Sequence, residues 1–349
     1  MSRRLKTLIV AFVLGVFLFT MVGSEFMAGA EIMGMLSKQE LQKMVSEAMK
    51  VRPPRNGKSY VFGFANLQRD IPFCIDVENS IKKNCEAAGI DLIVADNRLD
   101  GATALANADN FVTRNVDFVI EFQTDVNFGP MIMERFNKAK IPVIAIDIPM
   151  PGAVFFGVNN HLDGYLAGKA LAEAALKKWG DKAPKGVLVL GELPQSGEIP
   201  ARRIQGVVDG FREILKGFPE KQIIRFDSKN TLDYSRQQMV DILARIPQGT
   251  PIMGTGINDE VAMGIVAALD FARRKSDALI VALGADPLGR EGIRNGSLIG
   301  ATAHFPDRYG NKVIPTALKM LAGEKVPREV FVDHVFITRD NVKVYYPGE

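Results

Sequence analysis

The sequence predicts an α/β protein built as two doubly wound parallel-sheet lobes. Three observations carry that expectation. From Ser59 onward, short apolar stretches rich in β-branched and aromatic residues alternate with amphipathic helical ones. Parallel strands need connections long enough to hold a helix, so this alternation reads as parallel sheet. Nine or ten such strands fit two sheets better than one. Finally, 349 residues exceed what one ordinary core accommodates.

Taken in order, Arg3, Arg4 and Lys6 precede an apolar run from Leu8 to Val22, followed by the small residues Ala28-Gly29-Ala30. This is the order of a secretory signal over residues 1–30, with a mature chain beginning near Glu31 and acting beyond the cytoplasmic membrane. An uncleaved anchor is the alternative, although the run is short against the roughly 20 residues of a span. No cysteine follows the run, so no lipid anchor is expected. Residues 31–57 read as a helix and linker. Ser37-Lys38-Gln39-Glu40 forms a capping box, and Leu41, Met44, Val45, Ala48 and Met49 recur on one face. That face suits docking on the body or self-association, docking being the simpler choice. Pro53-Pro54 ends the helix, and Arg55 to Lys58 read as linker.

The first set of strands is Tyr60–Ala65, Leu92–Ala95, Phe118–Ile120 and Val143–Ile146, with helices near 73–88, 101–115 and 128–139. The second set is Val187–Leu190, Ile223–Phe226, Pro251–Met253, Leu279–Leu283 and Leu298–Ala301, with helices near 162–178, 199–216, 232–245 and 258–274. Gly152 to Asn160, at mid-chain, reads as the crossover between the lobes. The expected passages near 158–160, 304–305 and 331–334 divide the chain into an N-lobe, 58–158 with 305–332, and a C-lobe, 159–304 with 333–349.

Composition excludes several classes of function. The formal net charge is +3, of which residues 1–30 carry two, so no basic stripe remains to meet nucleic acid. Cys74 and Cys85 fall on one helix about 16 Å apart, too far for a disulfide, and read as buried thiols. The three histidines, His161, His304 and His334, have no ligand spacing with them, so no metal and no cofactor is expected. Neither a phosphate-binding glycine loop nor a nucleophile elbow is present, and Gly254-Thr255-Gly256 lacks the third glycine of a dinucleotide fingerprint.

Open parallel sheets bind ligands beyond the carboxyl ends of their strands. Those ends carry Asn66, Gln68, Phe122 to Asp125, Asp147, Asn258 to Glu260, Asp286 and His304. Carboxylates and amides of this kind hydrogen-bond hydroxyls, and an aromatic face covers the C–H side of a sugar ring. Two such edges facing one another make a closable cleft. Asp147 and Asp286 could in principle also act as an acid and base pair.

Several segments together resemble the periplasmic sugar-binding proteins of ABC transporters, the ribose- and galactose-binding type related to lac-repressor-like regulators. Ile71-Pro72-Phe73 is similar to that family's proline and ring-stacking aromatic at the first helix. Lys140-Ile-Pro-Val-Ile-Ala-Ile-Asp147 resembles its strand ending on a ligand aspartate, and Arg203-Ile-Gln-Gly206 its arginine helix. Ile257-Asn258-Asp259-Glu260-Val-Ala-Met-Gly264 is the most specific match, with Val281-Ala-Leu-Gly-Ala-Asp286 and Thr302-Ala-His304-Phe-Pro306 following in order. The similarity runs from about Tyr60 to Phe336. It implies the type I periplasmic binding protein fold, with a three-strand hinge, and a non-enzymatic function. That function is capture of a sugar or polyol by hinge closure and delivery, as a monomer, to an ABC transporter permease. A sensor component docking on a membrane receptor is the alternative.

The resemblance also assigns roles to residues. Asp147 and Asp286 accept from hydroxyls, Arg203 donates in a fork, Asn258 does both, Phe73 covers a ring and His304 is a polar hinge contact. Each has a plain structural reading beside it. Asn258 can cap its helix, Arg203 can lie on the surface, Phe73 can belong to the core, and His304 can be a satisfied interior histidine. Asp259 and Glu260 read as helix N-terminal charges. Ile148 and Pro149 stand where the best-known members have an arginine, and Ile71 where they have an asparagine. Gln68, Arg69 or Asp70 are candidates to substitute. A deoxy sugar, a polyol or a furanosyl compound therefore stays open beside a plain sugar.

Overall fold

The computed structural model describes residues 34–348 except 71, 124, 195 and 196. The expected signal segment lies outside these residues. So does Ile71. Among the described residues, no helix is long and apolar enough to cross a membrane.

The first described element is helix α1 (Lys38–Val51), which opens with the capping box read from the sequence. Ser37 Oγ accepts the Glu40 N–H at 3.2 Å, and Glu40 Oε2 accepts the Ser37 N–H at 2.8 Å. Two orphan amide groups are thereby satisfied within one turn. Leu41, Val45 and Ala48 are buried, and α1 packs against α2 (Pro72–Ala88) and α10 (Tyr309–Leu321). The segment expected as a linker is strapped down. Asp117 Oδ1 and Oδ2 accept the amides of Arg55 and Val61, each at 2.8 Å. Arg55 Nη2 donates to Ala139 O at 2.8 Å, and the Tyr60 hydroxyl donates to Arg52 O at 2.6 Å.

Two six-stranded sheets follow. The first orders as β11-β5-β4-β3-β1-β2, entirely parallel. Its strands are β1 (Val61–Asn66), β2 (Asp91–Asp96), β3 (Phe118–Glu121), β4 (Val143–Ile146), β5 (Val154–Gly157) and β11 (Glu329–Phe331). Helices α2, α3 (Gly101–Thr113) and α4 (Gly129–Lys138) connect them. The second orders as β12-β10-β9-β8-β6-β7, parallel except for β12 against β10. It comprises β6 (Val187–Glu192), β7 (Ile223–Asp227), β8 (Ile252–Gly256), β9 (Ala278–Gly284), β10 (Gly300–Ala303) and β12 (Val335–Ile337). Helices α5 (Asn160–Trp179), α6 (Glu198–Ile214), α7 (Leu232–Leu243), α8 (Asp259–Phe271) and α9 (Pro287–Asn295) accompany it, and α11 (Val342–Tyr345) ends the described chain. Cys74 and Cys85 are both free and buried.

One strand lies where a crossover was expected. Residues 154–157 pair with β4 before the chain leaves the first sheet, because Phe155 and Phe156 supply buried surface for an edge strand. A strand of four residues is too short to give a periodic signal. The chain passes between the sheets three times, after β5, after β10, and between β11 and β12.

Helices α5 and α6 touch backbone to backbone. A Cβ at Gly164 would lie 1.8 Å from Arg203 O, and one at Gly168 2.1 Å from Val207 O. From the other side, Gly206 faces His161 O and Gly210 faces Tyr165 O, each at 2.1 Å from an added Cβ. Only glycine permits this approach, and it sets the distance from α6 to the start of α5. Gly206→Ala should force the helices apart and lower stability by about 1–3 kcal/mol in chemical denaturation. An unchanged denaturation midpoint would show that the contact yields without cost.

Candidate functional site

The carboxyl ends of both sheets bring together most of the polar residues singled out by the sequence. On the first sheet, Asn66 at the end of β1 is fully buried. Its Nδ2 donates to Cys74 O and to Glu78 Oε2, both at 3.1 Å, while Oδ1 has no partner. Arg69 grips the same Glu78 with two bonds, at 2.8 and 2.6 Å. Gln68 leaves its Oε1 buried and unpaired. Phe73 is half-buried and meets Tyr309 edge-on at 5.7 Å and Phe122 at 6.4 Å. It therefore belongs to an aromatic wall.

Asp147 follows β4 in a left-handed conformation (φ 55°), which an aspartate tolerates better than most residues. Its Oδ1 accepts the Val158 N–H at 3.3 Å, and Tyr309 donates to Oδ2 at 3.4 Å. Burial pushes the carboxyl up to about 6, against the pull of His304 and Arg203. Both of those residues lie on the second sheet's side, so Asp147 faces across the junction.

On that side Arg203 is no surface residue. Its Nε donates to Asn160 Oδ1 at 3.0 Å and Nη1 to Ile257 O at 2.7 Å, with Asp163 Oδ2 at 3.2 Å from Nε. Asp163 is fully buried, and His304 Nε2 lies 3.1 Å from its Oδ1. Burial works against the Asp163 charge, but His304 and Arg203 together hold the carboxyl below its ordinary range. Asp286 caps α9, where Pro287 leads the helix, yet its side chain makes no capping bond and Oδ1 is buried without a partner. Burial raises its affinity for a proton, with His304 and then Arg290 opposing.

Asn258 takes the capping role. Its Oδ1 accepts the Val261 N–H and its Nδ2 donates to Asn230 Oδ1, both at 3.0 Å. Its hydrogen bonds are thus directed to α8 and the loop before α7. Asp259 differs from a mere helix charge. It is buried beneath the cluster and accepts the Asp286 N–H at 2.5 Å. Side chains at Gly284 or Gly289 would crowd its carboxylate, within 3.0 and 2.5 Å of an added Cβ.

Residues 62–325 match the periplasmic binding protein domain. The chain belongs to the periplasmic binding protein family. This places it among binding proteins rather than enzymes. It is 28% identical over 266 residues to the ribose import binding protein RbsB of Escherichia coli K12, covering 75% of this chain and 85% of that one. It also superposes on an ABC transporter solute-binding protein from Actinobacillus succinogenes solved with D-allose. That match has a TM-score of 0.70 at 21% identity and covers 82% of this chain and 100% of that one. A Bacillus halodurans solute-binding protein solved with myo-inositol gives a TM-score of 0.70 at 20% identity, covering 83% and 98%.

Sequence reasoning missed several members of this periplasmic binding protein's polar cluster. Asp163 and Asn160 share the first turn of α5 with the glycine face that meets α6, and that spacing was the available signal. Tyr309 reads as an ordinary helix aromatic. His334 Nε2 accepts the Asn159 N–H at 3.1 Å, joining two of the three passages, and burial holds that imidazole down to about 4, keeping it neutral. Among the described residues no group of side chains could hold a metal ion.

Glu121 on β3 has no solvent exposure; Asn97 donates to its Oε1 at 2.9 Å and Oε2 is unpaired. Burial pushes it up to about 8. A carboxyl raised in the folded state contributes stability at low pH that is lost as pH rises through the folded value. The relevant window runs from the ordinary carboxylate range up to about 8. His334 acts oppositely, but only below its ordinary value of 6.5. Stability should therefore fall between about pH 6.5 and about pH 8, and Glu121→Gln should flatten the fall. An equal fall in the variant, read from thermal melts across that range, would show that Glu121 ionises freely.

Proposed function

We propose that this protein is an extracytoplasmic solute-binding protein. It captures one sugar or sugar-like molecule between its lobes and presents the closed form, as a monomer, to an ABC transporter permease. The observation that carries this reading is that Asp147 and Asp286, at the carboxyl ends of opposite sheets and each bearing acceptor capacity that the protein leaves unused, share His304 and Tyr309 as electrostatic neighbours. Hydroxyl groups on adjacent carbons donate well to a carboxylate, and such charge-assisted bonds gain strength where water is excluded. The names of the relatives support the same chemistry: ribose import, and solute-binding proteins solved with allose and inositol.

In this reading Asp147, Asn66 and Gln68 hold the ligand from the N-lobe, with Phe73 against its C–H face. Asp286 and His304 hold it from the C-lobe. Arg203 contributes chiefly by fixing Asp163 and the start of α5. The N-lobe would comprise 58–158 with 305–332, and the C-lobe 159–304 with 333–349, the three passages forming the hinge. A ligand bonded to both lobes favours the closed state by the contacts that the open state lacks. No step of covalent chemistry is required.

Thermal shift across pentoses, hexoses, deoxy sugars and polyols should find a compound that raises the melting temperature. Asp286→Ala should then weaken its binding by about 10- to 100-fold in calorimetry, as expected for one lost hydrogen bond to a charged group. Absence of any stabilising compound, or full affinity in the variant, would remove this reading of the site.

A further inference from the structure

The cleft offers a ligand more orphaned acceptors than orphaned donors, the donors being His304 Nε2 and Gln123 Nε2. Asn66 Oδ1, Gln68 Oε1 and Asp286 Oδ1 are buried and unpaired. The identity of the first is not in doubt between oxygen and nitrogen. Its partner atom is bonded to a carbonyl and a carboxylate, which require a donor, so the orphan is the oxygen. Asp147 adds a second carboxylate with only two weak bonds, at 3.3 and 3.4 Å.

The nearby cations are already engaged. Arg203 bonds Asn160 and Ile257 and pairs with Asp163. Arg290 donates to Ala285 O at 2.7 Å and lies 4.2 Å over the Tyr346 ring. Arg69 holds Glu78 with both of its bonds. His304 lies against Asp163, and His334 serves as an acceptor. The position after Asp147 is Ile148, which brings no charge.

We infer that the ligand is a polyhydroxylated molecule carrying a protonated amine, an amino sugar or amino polyol. A hydroxyl brings one donor together with lone pairs that need donors in return, whereas an ammonium brings three donors and no acceptor. It also neutralises a carboxylate that burial otherwise disfavours. Sugar acids and sugar phosphates fit the carboxylates less well, since they add charge of the same sign as Asp147 and Asp286. The inference rests on the reading of this cleft as a sugar or polyol site and narrows it.

The test compares matched compounds on the purified protein by calorimetry near neutral pH: glucosamine with glucose, galactosamine with galactose, each also as its N-acetyl form. At least one amine should bind tenfold or more tightly than its hydroxyl parent, and N-acetylation should abolish the gain. Asp286→Asn or Asp147→Asn, which keep shape and remove charge, should shrink the preference. Hydroxyl parents binding as tightly as the amines would overturn this inference and leave the sugar-binding reading standing. Tighter binding of glucuronate would do the same. Binding by none of these compounds, or by any other sugar or polyol, would remove both. A preference unchanged in both variants would show that neither carboxylate receives the amine.

Discussion

Asp163 is a carboxylate with no solvent exposure, on the first turn of a helix, and the junction between the two sheets is arranged around it. An isolated ion there would lose several kcal/mol of hydration. It persists as a charge because Arg203 Nε lies 3.2 Å away and His304 Nε2 3.1 Å away. Those partners come from α6 and from the end of β10, so one buried charge ties the start of α5, the arginine helix and the second passage of the chain. His334, accepting from Asn159, brings the third passage to the first. Removing one partner of such a group costs about 3–5 kcal/mol, because the remaining charge is stranded. The glycines of α5 and α6 are what let the guanidinium reach.

This arrangement explains how Arg203 supports the cleft. Through Nε and Nη1 it satisfies a side-chain amide and a backbone carbonyl and lies against a buried acid. The carboxylates that face the junction, Asp147 and Asp286, have no comparable partners, and both are driven towards protonation by burial. Asp259 adds to this from below. It braces the β9–α9 turn through the Asp286 amide, and its own carboxyl is raised further by burial and by Asp286. The second sheet thus carries Asp286 on a turn braced by another acid.

The parallel α/β order and the positions of strand ends were legible in the sequence because both follow from periodicity and from chain connectivity. Asn66, Asp147, Asp286 and His304 stand at those ends. Residue roles were less legible. Asn258 lies in the most distinctive segment, yet its amide caps α8, since a helix start consumes the same acceptor that a ligand would use. Asp163 sits among apolar and glycine residues, and only its spacing from the glycine face of α5 hints at a carboxylate buried against an arginine forty residues later. The strand at 154–157 was hidden for a simpler reason: its pairing partner, not its own pattern, defines it. Arg55 read as linker because its bonds to Ala139 and Lys140 exist only once the fold has brought them near.

The unequal treatment of charge in this protein bears on closure. Charges that fix the frame, Arg203 with Asp163 and Arg69 with Glu78, are neutralised within one lobe, so they cost the same whether the lobes are open or shut. Asp147 and Asp286 are not neutralised in that way. On the reading proposed above, bringing the lobes together without a ligand withdraws water from both carboxylates, which opposes closure. A donor-rich ligand reverses that balance, because it supplies to each carboxylate what water gave in the open state. The closed form is then stabilised by the ligand specifically, and a ligand with equal affinity for both states would shift nothing. A cleft whose spare groups were already paired would bind its solute less selectively.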